Sequence, residues 1–74
     1  MEREVFYTRL AEILEQRPEE FAAAGRRLPE DPDSLVLLGI MALMDEMGVT
    51  LSPAELKQAH SADDLLEIVA NQQT

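Results

Sequence analysis

Three places in the chain carry side chains with usable chemistry. Asp33-Ser34 sets a carboxylate beside a hydroxyl. His60, the one histidine, stands between Ala59 and Ser61. Glu30-Asp31-Pro32-Asp33 crowds three carboxylates into four positions. The acidic run suggests calcium, but an EF-hand loop needs glycine at its sixth position and glutamate at its twelfth. Counted from Asp31, those positions hold Val36 and Ala42. A catalytic triad needs a nucleophile, a base and an orienting group in contact. Nothing in the pattern gives His60 such companions, and it reads as a solvated residue at a helix join. Ser34 follows an acidic, proline-bearing loop and opens an apolar helical pattern. Either Asp33 or Ser34 suits the N-cap of that helix. A hydroxyl there also sits where a phosphate ester is stabilised, by free backbone N–H groups and the positive end of the helix dipole. Asp33 adds a carboxylate that could hold a divalent metal or orient an incoming enzyme during phosphoryl transfer.

The elements that must position these residues are helical nearly throughout. From about Glu2 to Gln16, Phe6, Leu10, Ile13 and Leu14 recur at steps of three and four, which predicts one amphipathic helix ended by Arg17-Pro18. Pro18 to Pro32 reads as mainly irregular, with a turn or two of helix over Pro18–Ala24 closed by Gly25. Phe21 and Leu28 are its large apolar residues and are expected to pin it to the core. The next helix runs from Asp33 or Ser34 to about Met47, where Gly48 stops it. Val49 to Ser52 is an extended linker. A short helix follows over Pro53–Ala59 with Ser52 as cap. Ser61-Ala62-Asp63-Asp64 caps a last helix carrying Leu65, Leu66, Ile68 and Val69, expected to fray over Asn71 to Thr74.

Size and charge narrow the options. The 74 residues allow one small domain spanning the whole chain, with little room for a deep active-site cavity. Fifteen acidic side chains against six Lys and Arg give a net charge of −9. That surface repels phosphate backbones and anionic lipid heads, and favours basic partner proteins. The dispersed acids are expected to be solvated faces. No cysteine is present, which excludes disulfides and thiolate chemistry by the chain itself. The charged start lacks the layout of a secretion signal, and no apolar run approaches the roughly 20 residues of a membrane span. A free-standing, cytoplasmic monomer is the expectation.

Asp33-Ser34-Leu35-Val36-Leu37-Leu38-Gly39-Ile40-Met41-Ala42-Leu43-Met44-Asp45-Glu46 resembles the start and second helix of acyl carrier proteins. In that family an Asp-Ser-Leu motif carries 4′-phosphopantetheine on the serine. Met47-Gly48-Val49-Thr50-Leu51-Ser52-Pro53-Ala54-Glu55-Leu56 is similar to the family's loop into its short third helix, and Ser61 to Leu66 to the entry of its last helix. The likeness covers about Asp33 to Ala70. The chain departs from the family at Asp31 and Pro32, where a glycine and a small or apolar residue are usual. Its second helix is one residue short before Met47-Gly48, and an alternative register would set Asp33 in the serine's place. Val36 and Gly39 stand where the family offers a more polar surface.

The resemblance implies an all-α four-helix bundle of acyl-carrier type, with a long loop between helices 1 and 2 and a short third helix. It implies Ser34 as the attachment point, with Asp33 as the adjacent motif residue. A separate phosphopantetheinyl transferase would present coenzyme A and Mg²⁺. The loaded arm would hold an acyl, aminoacyl or polyketide group as a thioester for synthase and acyl-transferring enzymes with basic docking patches. Docking is expected around Leu35, Val36, Asp45 and Glu46. Such a carrier catalyses nothing by itself and needs no metal site. The second helix is apolar almost all round, from Leu35 to Met47, so part of it must face outward or line a cavity. The competing reading is an acidic helical interaction module, or a carrier-like domain without the prosthetic group, docking through that helix.

Overall fold

The longer helices are built on apolar stripes, and local signals mark most of their ends. The computed structural model describes residues 1–72 and contains five helices. Helix α1 spans Arg3–Ile13 and buries Phe6, Tyr7, Leu10 and Ala11, which the three-four spacing sets on one side. It ends before the proline, sooner than the apolar spacing suggests. The Glu15 N–H donates to the Glu12 carbonyl and the Gln16 N–H to the Ala11 carbonyl. That closure requires a left-handed residue, and Glu15 takes it at φ +57°.

The stretch expected to be mainly irregular holds a helix of its own. Helix α2 spans Pro18–Ala23, with Pro18 in its first turn and Phe21 buried on the core. Beyond Gly25 the chain is tied to a distant partner. The Leu28 N–H donates to the His60 carbonyl, and the Ala62 N–H donates to the Arg26 carbonyl. Arg27 and Ser61 thereby form an isolated antiparallel bridge. Leu28 packs, half-buried, against the core.

Helix α3 spans Ser34–Glu46, and its cap is Asp33, whose Oδ1 accepts from the Val36 N–H at 2.9 Å. Of the two candidate caps, the side chain with a carboxylate does the capping. The helix closes at Gly48, φ +78°, with the Val49 N–H donating to the Met44 carbonyl. Met44 and Val49 are both fully buried there, the apolar contact typical of this closure. Helix α4, Pro53–Leu56, is shorter than the spacing predicts. Ser52 accepts from the Glu55 N–H while the Glu55 carboxylate accepts from the Ser52 N–H. Helix α5 spans Ala62–Gln72 and does not fray over Asn71 and Gln72. The Ser61 hydroxyl accepts from the Asp64 N–H, and Asp64 in turn accepts from the His60 N–H at 2.8 Å. The fraying expected at Gln73 and Thr74 lies outside the described residues.

Together the five helices enclose one core, with Phe6, Leu10, Phe21, Ile40, Leu43, Met44, Val49 and Leu65 almost without exposure. Among the described residues no strand forms, and no helix is long and apolar enough to cross a membrane. Two contacts fix α1 within this assembly. Gly39 lets α3 approach α1 closely, because a Cβ built on it would lie 2.9 Å from Ile13 Cγ2. Gly39 therefore faces a neighbouring helix, and the polar-surface role expected from its position does not apply. Tyr7, only 8% exposed, donates its hydroxyl to Asp63 of α5 at 2.5 Å, and the Arg26 guanidinium stacks 4.1 Å from the ring centroid. The hydrogen bond to Asp63, then burial, raise the Tyr7 pKa above its ordinary 10.0.

Two measurements check these contacts. Alanine at position 39 gains about 1 kcal/mol of helix propensity but meets an overpacking cost of about 1–3 kcal/mol. Gly39→Ala is expected to lower stability in the native background and to raise it in an Ile13→Ala background, read by urea unfolding as a double-mutant cycle. For Tyr7 the folded pKa lies above the unfolded one. Its contribution is complete below about pH 10 and is lost as pH rises through the folded pKa. Tyr7→Phe should cost about 1 kcal/mol at neutral pH and flatten the alkaline limb of the stability profile.

Candidate functional site

The start of α3 leaves Ser34 in the first helical position with its side chain exposed. Capping is done by Asp33, so the Ser34 hydroxyl makes no hydrogen bond among the described residues. The Leu37 N–H reaches the Asp33 carbonyl and the Val36 N–H reaches the Asp33 side chain. The N–H groups of Ser34 and Leu35 have no such partner, which is the ordinary condition of a helix N-terminus. An oxyanion joined to Ser34 Oγ would meet them at the positive end of the α3 dipole. This arrangement fits a phosphodiester on Ser34. The acidic surroundings oppose it, since Glu30, Asp31 and Asp33 are all exposed nearby in sequence.

The expected docking residues are spread along α3. Ser34 and the Asp45-Glu46 pair lie at opposite ends of α3, roughly 16 Å apart along its axis. Leu35 is 81% exposed beside Ser34. Val36 turns inward and is half-buried against the core, bordering a small cleft with Ile13, Leu14 and Leu35. Asp45 is exposed at the far end. Glu46 is already engaged, with both carboxylate oxygens on the Arg9 guanidinium of α1. Glu46 raises the Arg9 pKa, first by hydrogen bonding and then by its charge. As a solvent-screened surface pair it adds little to stability.

Two residues of the outward face escape the sequence reading. Leu38 is 61% exposed and Ala42 is exposed one turn further on. With Ser34, Leu35 and Asp45 they form a continuous track along the helix, apolar in its middle. The signal was present in the three-four spacing, but an all-round apolar helix does not say which stripe is outermost. His60 is exposed, and its backbone N–H and carbonyl are both used in joining elements. Among the described residues no group of three or more His, Asp or Glu side chains is placed to hold a metal ion.

No protein-family model, no curated protein and no solved structure matches this chain.

The division of roles between neighbours is measurable. Asp33→Ala should lower stability by about 0.5–2 kcal/mol through loss of the cap. Ser34→Ala, which removes no hydrogen bond, should stay within about 0.5 kcal/mol of the native chain. Thermal unfolding of the two variants side by side gives the contrast.

Proposed function

We propose that this chain is an acyl-carrier-type domain bearing 4′-phosphopantetheine on Ser34. The observation that carries the reading is the Ser34 hydroxyl, exposed at the first position of α3 and released from capping by Asp33. Asp33 anchors the helix end, so Oγ can become an ester oxygen without loss of the cap. The unpartnered N–H groups of Ser34 and Leu35 would donate to the resulting phosphate oxygens. When bound, the prosthetic group supplies a terminal thiol for thioester chemistry, which a cysteine-free chain cannot supply itself. The chain's own part is to present Ser34 to partner enzymes. Leu35, Leu38 and Ala42 offer the apolar contact, and Asp45 offers a charge at the far end for a basic partner. Synthase and acyl-transferring enzymes are the proposed partners, after the transferase that loads the arm.

The exposed Leu35-Leu38 pair supports a second reading, a docking module that carries no prosthetic group. Loading separates the two. Co-expression with a broad-specificity phosphopantetheinyl transferase should add one phosphopantetheine mass to the native chain and none to Ser34→Ala, read by intact mass. A native chain that stays unmodified, or an alanine variant that is still loaded, overturns the carrier reading.

A further inference from the structure

The few basic side chains of this acidic chain are unevenly employed. Arg9 pairs with Glu46, Arg17 pairs with Glu19 and Glu20, and Arg26 stacks on Tyr7. Like Arg3 on α1, Arg27 and Lys57 have no ion pair among the described residues, although the chain carries 15 acidic side chains. Both line one cleft of about 460 Å³, together with His60, Leu28, Pro29, Ala59 and Glu30. The cleft lies where the loop after α2 meets the join of α4 and α5. The backbone bond from Leu28 to His60 ties two of its lining residues together, and that from Ala62 to Arg26 holds the residues next to them.

We infer that this cleft binds a small organic phosphate, with the phosphoryl group on Arg27 and Lys57 and the carbon skeleton on Leu28, Pro29 and Ala59. Neither Arg27 nor Lys57 gives up an ion pair to take an anion, so the cost at these two groups is their desolvation alone. Arg27 offers a planar fork of donors and Lys57 a compact point charge, while His60 adds a ring N–H donor. That set suits an oxyanion with three acceptor oxygens and nearly two charges better than a carboxylate with two oxygens and one. The apolar walls suit an ester of phosphate over the bare ion. Glu30 stands on the same cleft and opposes the anion, which keeps binding weak and makes its removal informative. The net charge of −9 disfavours nucleic acid as the phosphate's source. This inference goes beyond the carrier reading and does not depend on Ser34.

The test is an NMR amide titration at constant ionic strength with butyl phosphate, inorganic phosphate and pentanoate as probes. Butyl phosphate should produce saturable shifts confined to residues near 27–30 and 57–61, and should bind more tightly than the other two. Arg27→Gln and Lys57→Gln should each weaken it about tenfold, and Glu30→Gln should tighten it. Arg3→Gln and Arg17→Gln change net charge equally but lie outside the cleft, and should leave affinity unchanged. Ser34→Ala should also bind normally, so failure of the carrier reading would not touch this one. Shifts that never saturate, that spread over the whole surface, or that weaken equally in Arg3→Gln would overturn the site. Equal affinity for pentanoate would overturn its assignment to phosphate.

Discussion

The arrangement of the loop before α3, the last helix and the cleft between them depends on the two backbone hydrogen bonds between residues 26–28 and 60–62. They are the points at which the long connection between α2 and α3 is held to the last helix. Without them Arg26 would not be held against Tyr7, and Leu28 would not be pressed onto the core. The cost is the ordering of a loop rich in proline and charge. The gain is two satisfied backbone pairs at a partly sheltered join, where unpaired groups would be penalised. The same bonds fix one wall of the cleft that contains Arg27, Lys57 and His60. They also place α5 so that Asp63 meets the Tyr7 hydroxyl.

Helix α3 illustrates a second constraint, which is scale. A chain this small cannot surround a helix that is apolar on every side. The core takes Ile40, Leu43 and Met44, α1 takes the Gly39 side through Ile13, and Leu35 and Leu38 are left outside. The exposed stripe is therefore the remainder after the interior has been filled. Its position next to Ser34 joins an unbonded hydroxyl to a surface with free energy to release on docking.

Much of the fold was legible in the sequence, because its signals are local. Ser52-Pro53 with Glu55, Ser61 with Asp64, and Gly48 after Met47 each mark a helix end through bonds spanning three to five residues. The end of α1 was not legible, since Glu15 in a left-handed conformation carries no glycine to announce it. At the candidate site the helix start was readable, but the choice of Asp33 over Ser34 as cap was not, since both side chains suit the role. The contacts that position the site were invisible for another reason. Arg9 with Glu46 and Tyr7 with Asp63 join residues 37 and 56 positions apart, and no periodicity encodes which distant acid a given side chain meets. The inward turn of Val36 and the exposure of Leu38 depend likewise on where α1 lies.

The Tyr7–Asp63 contact bears on how the chain is made. Its two ends are 56 residues apart, so α1 is finished on the ribosome long before its partner exists. At about 5–20 residues per second that interval lasts roughly 3–11 s. A helix of this length is marginal alone in water, so until α2 and α3 follow it the newly made α1 samples open states with Phe6 and Leu10 uncovered. The packing of α1 on α2 and α3 needs only residues up to Glu46, so the Tyr7–Asp63 bond is the last tie of α1 to close.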